Sequence, residues 1–236
     1  MHQFADLASY AEQLLVHENA VVKITRDMPL DRAALIGCAV TTGVGAVFNT
    51  ARLPAGATVA VIGCGGVGLS AIQGARIAGA GRIIAVDTLA AKLDLAKRFG
   101  ATDGINASDG DPVKQVKQLT GGGVEYSFEA IGLKQTAEQA FAMLESGGTA
   151  TLIGMIPLGQ KIELLGVAFL NEKKIQGSNM GSNAFRVDMP RYVDLYLQGR
   201  LNLDDMISKR IRLDQVNEAF ADLEKGSVAR SVIVFD

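Results

Sequence analysis

The sequence predicts an α/β fold, a doubly wound parallel sheet with helices on both faces, and three observations carry that prediction. The stretch Thr58–Asp87 reads as strand, glycine turn, helix and strand, with an acid at its end. After it, short β-branched runs and amphipathic helical runs keep alternating as far as Gly154. Twenty-seven glycines and only 6% aromatic residues suit a chain with many tight turns between strand and helix.

Taken in order, the first residues do not read as the start of such a sheet. Tyr10–Val16 and Asn19–Ile24 are expected as two short strands with a turn between them, in need of a partner sheet. Pro29-Leu30-Asp31 is a helix start with Asp31 as the expected N-cap, followed by a long helical run from Ala33 to Phe48. Gly37, Gly43 and Gly45 interrupt that run, each costing about 1 kcal/mol of helix stability relative to Ala, so close packing or a ligand is the expected reason for them. Pro54-Ala55-Gly56 closes this section.

Thr58-Val59-Ala60-Val61-Ile62 is then the first strand of the sheet, and Gly63-Cys64-Gly65-Gly66-Val67-Gly68 the turn behind it. Gly63 lets the chain leave the strand sharply, Gly65 leaves room for a pyrophosphate against the backbone, and Gly68 lets helix and strand pack closely. The following helix, ending near Ala80, would point free N–H groups and the positive end of its dipole at that phosphate, with Gly66 and Val67 in its first turn. Asp87 ends the next strand, Arg82–Asp87, 19 positions after Gly68. That is close to the ~20-residue spacing at which a carboxylate meets a ribose hydroxyl. Together these elements predict dinucleotide binding. A carboxylate at that place repels a 2′-phosphate, so NAD is expected over NADP.

Further on, Leu89–Phe99 is an amphipathic helix stopped by Gly100, and Gly104-Ile105-Asn106 a short strand. Asp111-Pro112 supplies an N-cap and a first-turn proline for a helix to Leu119. Val124–Glu129 is a strand, Lys134–Leu144 a helix, and Thr149–Ile153 a strand ending at Gly154. Right-handed crossovers would place the ligand crevice at the carboxyl ends of these strands, where the glycine turn, Asp87, Ala130-Ile131-Gly132 and Ile153-Gly154-Met155 fall. Beyond Pro157, Lys161–Leu164 and Lys174–Gly177 read as the last strands, Met189–Gln198 and Leu213–Leu223 as amphipathic helices, and Ser231–Phe235 as a closing strand.

Composition excludes several classes. A formal net charge of −2 and a pI near 5.8 give no electrostatic argument for a nucleic acid or an anionic membrane partner. No apolar run is expected to approach the ~18–20 residues of a membrane span, and the first residues lack the pattern of a secretory signal, so the expected location is cytoplasmic. Cys38 and Cys64 are too few for a disulfide framework and have no metal-type spacing.

The motifs Leu35–Gly43, Gly63–Gly68, Val86-Asp87 with Lys92, Phe128–Gly132, and Gly226–Arg230 before the closing strand resemble, in order and spacing, those of the zinc-dependent medium-chain alcohol dehydrogenases. The resemblance runs from about Tyr10 to the C-terminus. It implies an NAD-binding Rossmann domain at 40–179, flanked by remnants of a mostly β catalytic domain: its tail and a linking helix at 1–39, and a returning segment at 180–236. Most of the N-terminal catalytic portion would be absent. The resemblance also implies a hydride-transfer oxidoreductase acting on a small-molecule alcohol or aldehyde, with zinc as Lewis acid, and a homodimer.

The resemblance implies roles for individual residues. Lys92 would contact ribose, Arg230 the pyrophosphate, and Thr42 and Gly43 the nicotinamide end. Ile131, Ile153 and Met155 would position the carboxamide ring. Cys38 matches the third catalytic zinc ligand, but His2 and His17, the only histidines, fall on no ligand position. Catalytic zinc normally takes three protein ligands. The sequence therefore leaves two further readings open, a non-catalytic NAD-binding module and a zinc-free quinone or enone reductase.

Overall fold

The computed structural model of the chain describes residues 9–224 and 229–235. It divides into two compact units, Cys38–Ala184 and a second made from the chain up to Gly37 together with the chain from Phe185 on.

The unit Cys38–Ala184 is built on six strands, β1 (Thr58–Ile62), β2 (Arg82–Asp87), β3 (Asp103–Asn106), β4 (Val124–Glu129), β5 (Leu144–Leu152) and β6 (Lys174–Gly177). They lie in the order β3-β2-β1-β4-β5-β6, every neighbouring pair parallel. The order reverses between β1 and β4, which opens a crevice at their carboxyl ends. β1 and β2 are buried along nearly their whole length, as strands covered on both faces must be. Alternate residues of β1 show the two faces. Ala60 and Ile62 join Val116, Ala140 and Phe141 in one core cluster. Val61 faces the opposite way, toward Gly68 in helix α3 (Gly66–Ala78). Helices α4 (Ala90–Arg98), α5 (Pro112–Thr120) and α6 (Lys134–Ala142) complete the alternation. Asp111 caps α5 as expected, its Oδ1 accepting from the Val113 N–H at 2.9 Å.

Several expectations need correction. Tyr10–Val16 and Asn19–Ile24 form no strands; apart from a short turn of helix at Glu18–Ala20 they are irregular, since no strand among the described residues pairs with them. Lys161–Leu164 is likewise irregular, although Leu164 still packs on the core cluster. Asp31 is not an N-cap. Pro29 holds that place, and the Asp31 carboxylate is taken by Arg32 and Arg210, each at 2.8 Å. The helical run is one 21-residue stretch, Leu30–Thr50, with α1 (Leu30–Leu35) and α2 (Thr41–Gly45) each followed by a wider π-type segment, Ile36–Val40 and Ala46–Thr50. With a mean hydropathy of 1.5 in its most apolar window it is long and apolar enough to cross a membrane, against the expectation that no run would be. Small residues account for it: α2 is wholly buried, and a Cβ on Gly43 would lie 2.3 Å from Val67 O in α3, so this is a core helix.

The other unit contains α6's successor α7 (Phe185–Leu197), which begins before the expected Met189 and carries Pro190 within it. Strand β7 (Ile207–Ile211), not anticipated, pairs in parallel with β8 (Arg230–Ile233), and α8 (Val216–Glu224) lies between them in sequence. Arg32 joins Asp31 to Asp204, the latter at 2.7 Å, in an ion-pair network near the surface. Met1, His2 and the Gly226–Val228 part of the last motif lie outside the described residues.

Candidate functional site

The glycine turn has the geometry its residues suggest. Gly63 turns off β1 at φ +93, a conformation costly for any other residue, and a Cβ on Gly68 would sit 1.7 Å from Gly63 O. Only glycine lets α3 start there. A Cβ on Gly65, by contrast, would meet nothing within 4 Å, so the backbone faces open space. The first bond within α3 runs from the Leu69 N–H to Gly65 O at 2.8 Å. The N–H groups of Gly66, Val67 and Gly68 therefore have no acceptor inside the helix, and they face the side from which an anion would come.

Asp87 ends β2 beside this turn and is 9% exposed. Its Oδ2 accepts from the Cys64 N–H at 2.8 Å and its Oδ1 from the Leu89 N–H at 3.1 Å. Each oxygen keeps lone-pair capacity for a further donor. The carboxylate lines a cleft of about 540 Å³ between the ends of β1, β2 and β4, walled by Ile62, Ile131 and Leu133 and edged by Thr88, Asp111, Gln135 and Gln139. Lys92, half-buried in α4, is near enough to act on the Cys64 thiol. Burial, reinforced by the Asp87 charge, pushes that thiol up to about 12, so Cys64 is an unreactive packing residue.

On the other side of β1, Glu129 ends β4 and is fully buried. Its Oε1 accepts from the N–H groups of Ile131 and Gly132 at 2.9 and 2.7 Å and from the Thr136 hydroxyl at 2.8 Å. Its Oε2 has no hydrogen-bond partner and points toward Gly154. This carboxylate fixes the turn after β4, so that Ile131 stands 47% exposed on the cleft wall. Gly132, at φ +93, packs against the backbone of Met155. Ile153 is tied by its N–H to Glu129 O at 2.9 Å, and the Met155 side chain is 84% exposed.

The sequence-predicted residues Gly63, Gly65, Gly66, Val67, Gly68, Asp87, Lys92, Ile131, Ile153 and Met155 thus gather at the carboxyl ends of the strands. Thr42 lies on buried α2, its hydroxyl donating to Met180 Sδ at 3.6 Å. Arg230 opens β8 in the other unit, opposite Ile207. Sequence reasoning assigned nothing to Glu129, Gln135 or Gln139. The four-residue spacing of the two glutamines on one helical face, one residue beyond the Ile131–Leu133 wall, was the only signal for them.

Cys38 sits exposed on the Ile36–Val40 segment. Among the described residues no three His, Cys, Asp or Glu side chains converge as a metal-binding group. They do not make the zinc site that the resemblance implies.

The family model for zinc-binding dehydrogenases matches residues 66–198. The chain belongs to that family. Among similar zinc-binding dehydrogenases and their relatives, alcohol dehydrogenase-like 1 of Arabidopsis thaliana is 38% identical over 240 residues, covering 100% of this chain and 62% of that protein. Benzyl alcohol dehydrogenase from Acinetobacter calcoaceticus superposes with a TM-score of 0.88 at 33% identity, covering 91% of this chain and 59% of the other. A protein from Sinorhizobium meliloti 1021 assigned as a zinc-binding dehydrogenase and solved with NADP gives 0.81 at 29%, covering 90% and 61%. The chain spans about 62% of the length of the curated relatives it matches.

Proposed function

We propose that this chain is the cofactor-holding part of an alcohol dehydrogenase, an oxidoreductase that moves hydride between an alcohol or aldehyde and NAD. The observation that carries the reading is the open face of Gly65 beside the free N–H groups of α3, with Asp87 at the end of the neighbouring strand β2 lining a cleft sized for a nucleoside. The relatives' names supply the alcohol chemistry. When bound, the nicotinamide supplies the hydride acceptor. The protein's own share is placement: the glycine turn takes the pyrophosphate, Asp87 and Lys92 the ribose hydroxyls, and Ile131, Ile153 and Met155 wall the ring side. Arg230 is proposed as a second pyrophosphate contact, for which a guanidinium is suited.

The neighbour with NADP makes the choice of cofactor a real question. An acid with both oxygens already holding backbone N–H groups repels a 2′-phosphate, so NAD is favoured. Cys38 is proposed as a zinc ligand only in company with donors beyond the described residues, and no reaction step is routed through it. That incomplete donor set favours a second reading, an NAD-binding module without its own catalysis. Zinc quantification together with alcohol-dependent NADH formation separates the two. Stoichiometric zinc with turnover supports the first; NAD binding with neither supports the second.

A homodimer is also proposed. β6 ends the sheet with an unpaired edge, and Leu165, Val167 and Leu170 stand exposed just before it. A cytoplasmic location is proposed with it, in keeping with two unpaired cysteines.

A further inference from the structure

The turn after β6 holds three consecutive residues in the left-handed region, Met180 at φ +48, Gly181 at φ +66 and Ser182 at φ +46. Two of them are not glycine, so the backbone there is strained and must be held by its surroundings. The holding groups come from the end of the long helical run. Thr50 Oγ1 lies 2.8 Å from Ser178 Oγ and 2.8 Å from Ser182 Oγ, a hydroxyl bridging both ends of the turn. Asn49 Nδ2 donates to Gly181 O at 3.1 Å. Closer packing fixes the middle: a Cβ on Gly45 would lie 2.6 Å from Gly181 O, and one on Gly181 2.2 Å from Thr41 O.

This arrangement is linked to the glycine turn. The same α2 that touches Gly181 through Gly45 touches Val67, in the first turn of α3, through Gly43. Thr42, between those two glycines, meets Met180 Sδ at 3.6 Å. With Asp87 on the β2 side, the half of a dinucleotide beyond the pyrophosphate crosses to the β4–β5–β6 side of the switch point, which is where Thr42 and Met180 stand.

We propose that Thr50 is a positioning residue for the nicotinamide half of the cofactor: by bridging Ser178 and Ser182 it holds the left-handed Met180–Ser182 turn against Thr42, and the wall so formed receives the ring. The inference rests on the cofactor reading above and adds a residue that touches no ligand itself. Its signature is an effect on one end of the cofactor only, because Thr50 makes no contact with Asp87 or with the cleft beside it.

The test is calorimetric titration of the full chain with NAD and with ADP-ribose, which lacks the nicotinamide ring, for wild type, Thr50→Val and Thr50→Ser. Thr50→Val should weaken NAD about fivefold, the worth of one to two hydrogen bonds, and leave ADP-ribose affinity unchanged. Thr50→Ser, which keeps the hydroxyl, should restore NAD binding. Unchanged ADP-ribose affinity also reports that the variant is folded. Equal losses on both ligands, no loss on either, or wild-type affinities that do not differ between the two would overturn the inference. Wild type binding neither ligand would overturn the cofactor reading and this inference with it.

Discussion

Two carboxylates end adjacent-but-one strands of the same sheet, Asp87 on β2 and Glu129 on β4, with β1 between them. Asp87 opens on a cleft and accepts one backbone N–H at each oxygen. Glu129 is sealed from solvent, puts three donors on one oxygen and none on the other. The first keeps capacity for a ligand on the cleft; the second spends one oxygen on the fold and has the other sealed from solvent. An acid at a strand end is thus a binding group or a tie according to what its neighbours leave it, and position in the motif alone does not decide.

The largest separation of the two is expected in stability. Glu129→Ala removes the acceptor of the buried Gly132 N–H, of the part-buried Ile131 N–H and of one of the two bonds of the Thr136 hydroxyl, and should cost on the order of 3 kcal/mol, whereas Asp87→Ala, beside an open cleft, should cost about 1 kcal/mol. Chemical denaturation reads both, and equal costs would break the distinction.

Ligand affinity should reverse the order. Asp87→Asn weakens NAD by roughly tenfold, a charged acceptor being replaced by a neutral one. Glu129→Gln keeps an acceptor where the three donors converge and should change NAD affinity by no more than about twofold. A comparable loss in both variants would make Glu129 a cofactor residue as well.

The smallest effect concerns pH and sharpens the placement of the Asp87 charge. Burial first, and the Asp87 charge second, raise the Cys64 thiol from 9.0 to about 12. The folded chain therefore keeps this proton while the unfolded chain loses it. The stabilising contribution is complete below pH 9 and is lost as pH rises toward 12. Denaturation midpoints of wild type should fall across that window more steeply than those of Cys64→Ala. In Asp87→Asn the loss should still begin near pH 9 but end at a lower pH than in wild type, because one of the two causes is gone.

Much of this was legible in the sequence, and the limits have physical causes. β1 and β2 fall on the expected residues because a strand buried on both faces is written as an uninterrupted apolar run, and β4 because apolar and polar residues alternate along Val124–Glu129. The glycine turn was legible because two of its positions, Gly63 and Gly68, admit only glycine. The failures concern partners. Tyr10–Val16 has the composition of a strand but no pairing edge, and Asp31 has the side chain of a cap but two arginines compete for it, one of them Arg210, far along the chain. The strained turn at Met180–Ser182 was only partly signalled: Gly181 marks its middle, but Met180 and Ser182 are not the glycines or asparagines that usually mark left-handed places. Leu30–Thr50 misled differently: alanine and glycine spread its apolarity below notice, and only its packing against α3 shows why it is there.

The central claim is that Asp87 meets a ribose hydroxyl and thereby selects NAD. Titrating the wild-type chain with NAD and NADP under one buffer tests it most directly. The account predicts NAD bound at least about tenfold more tightly, the effect of one unpaired charge contact; equal affinities, or tighter NADP, would contradict it.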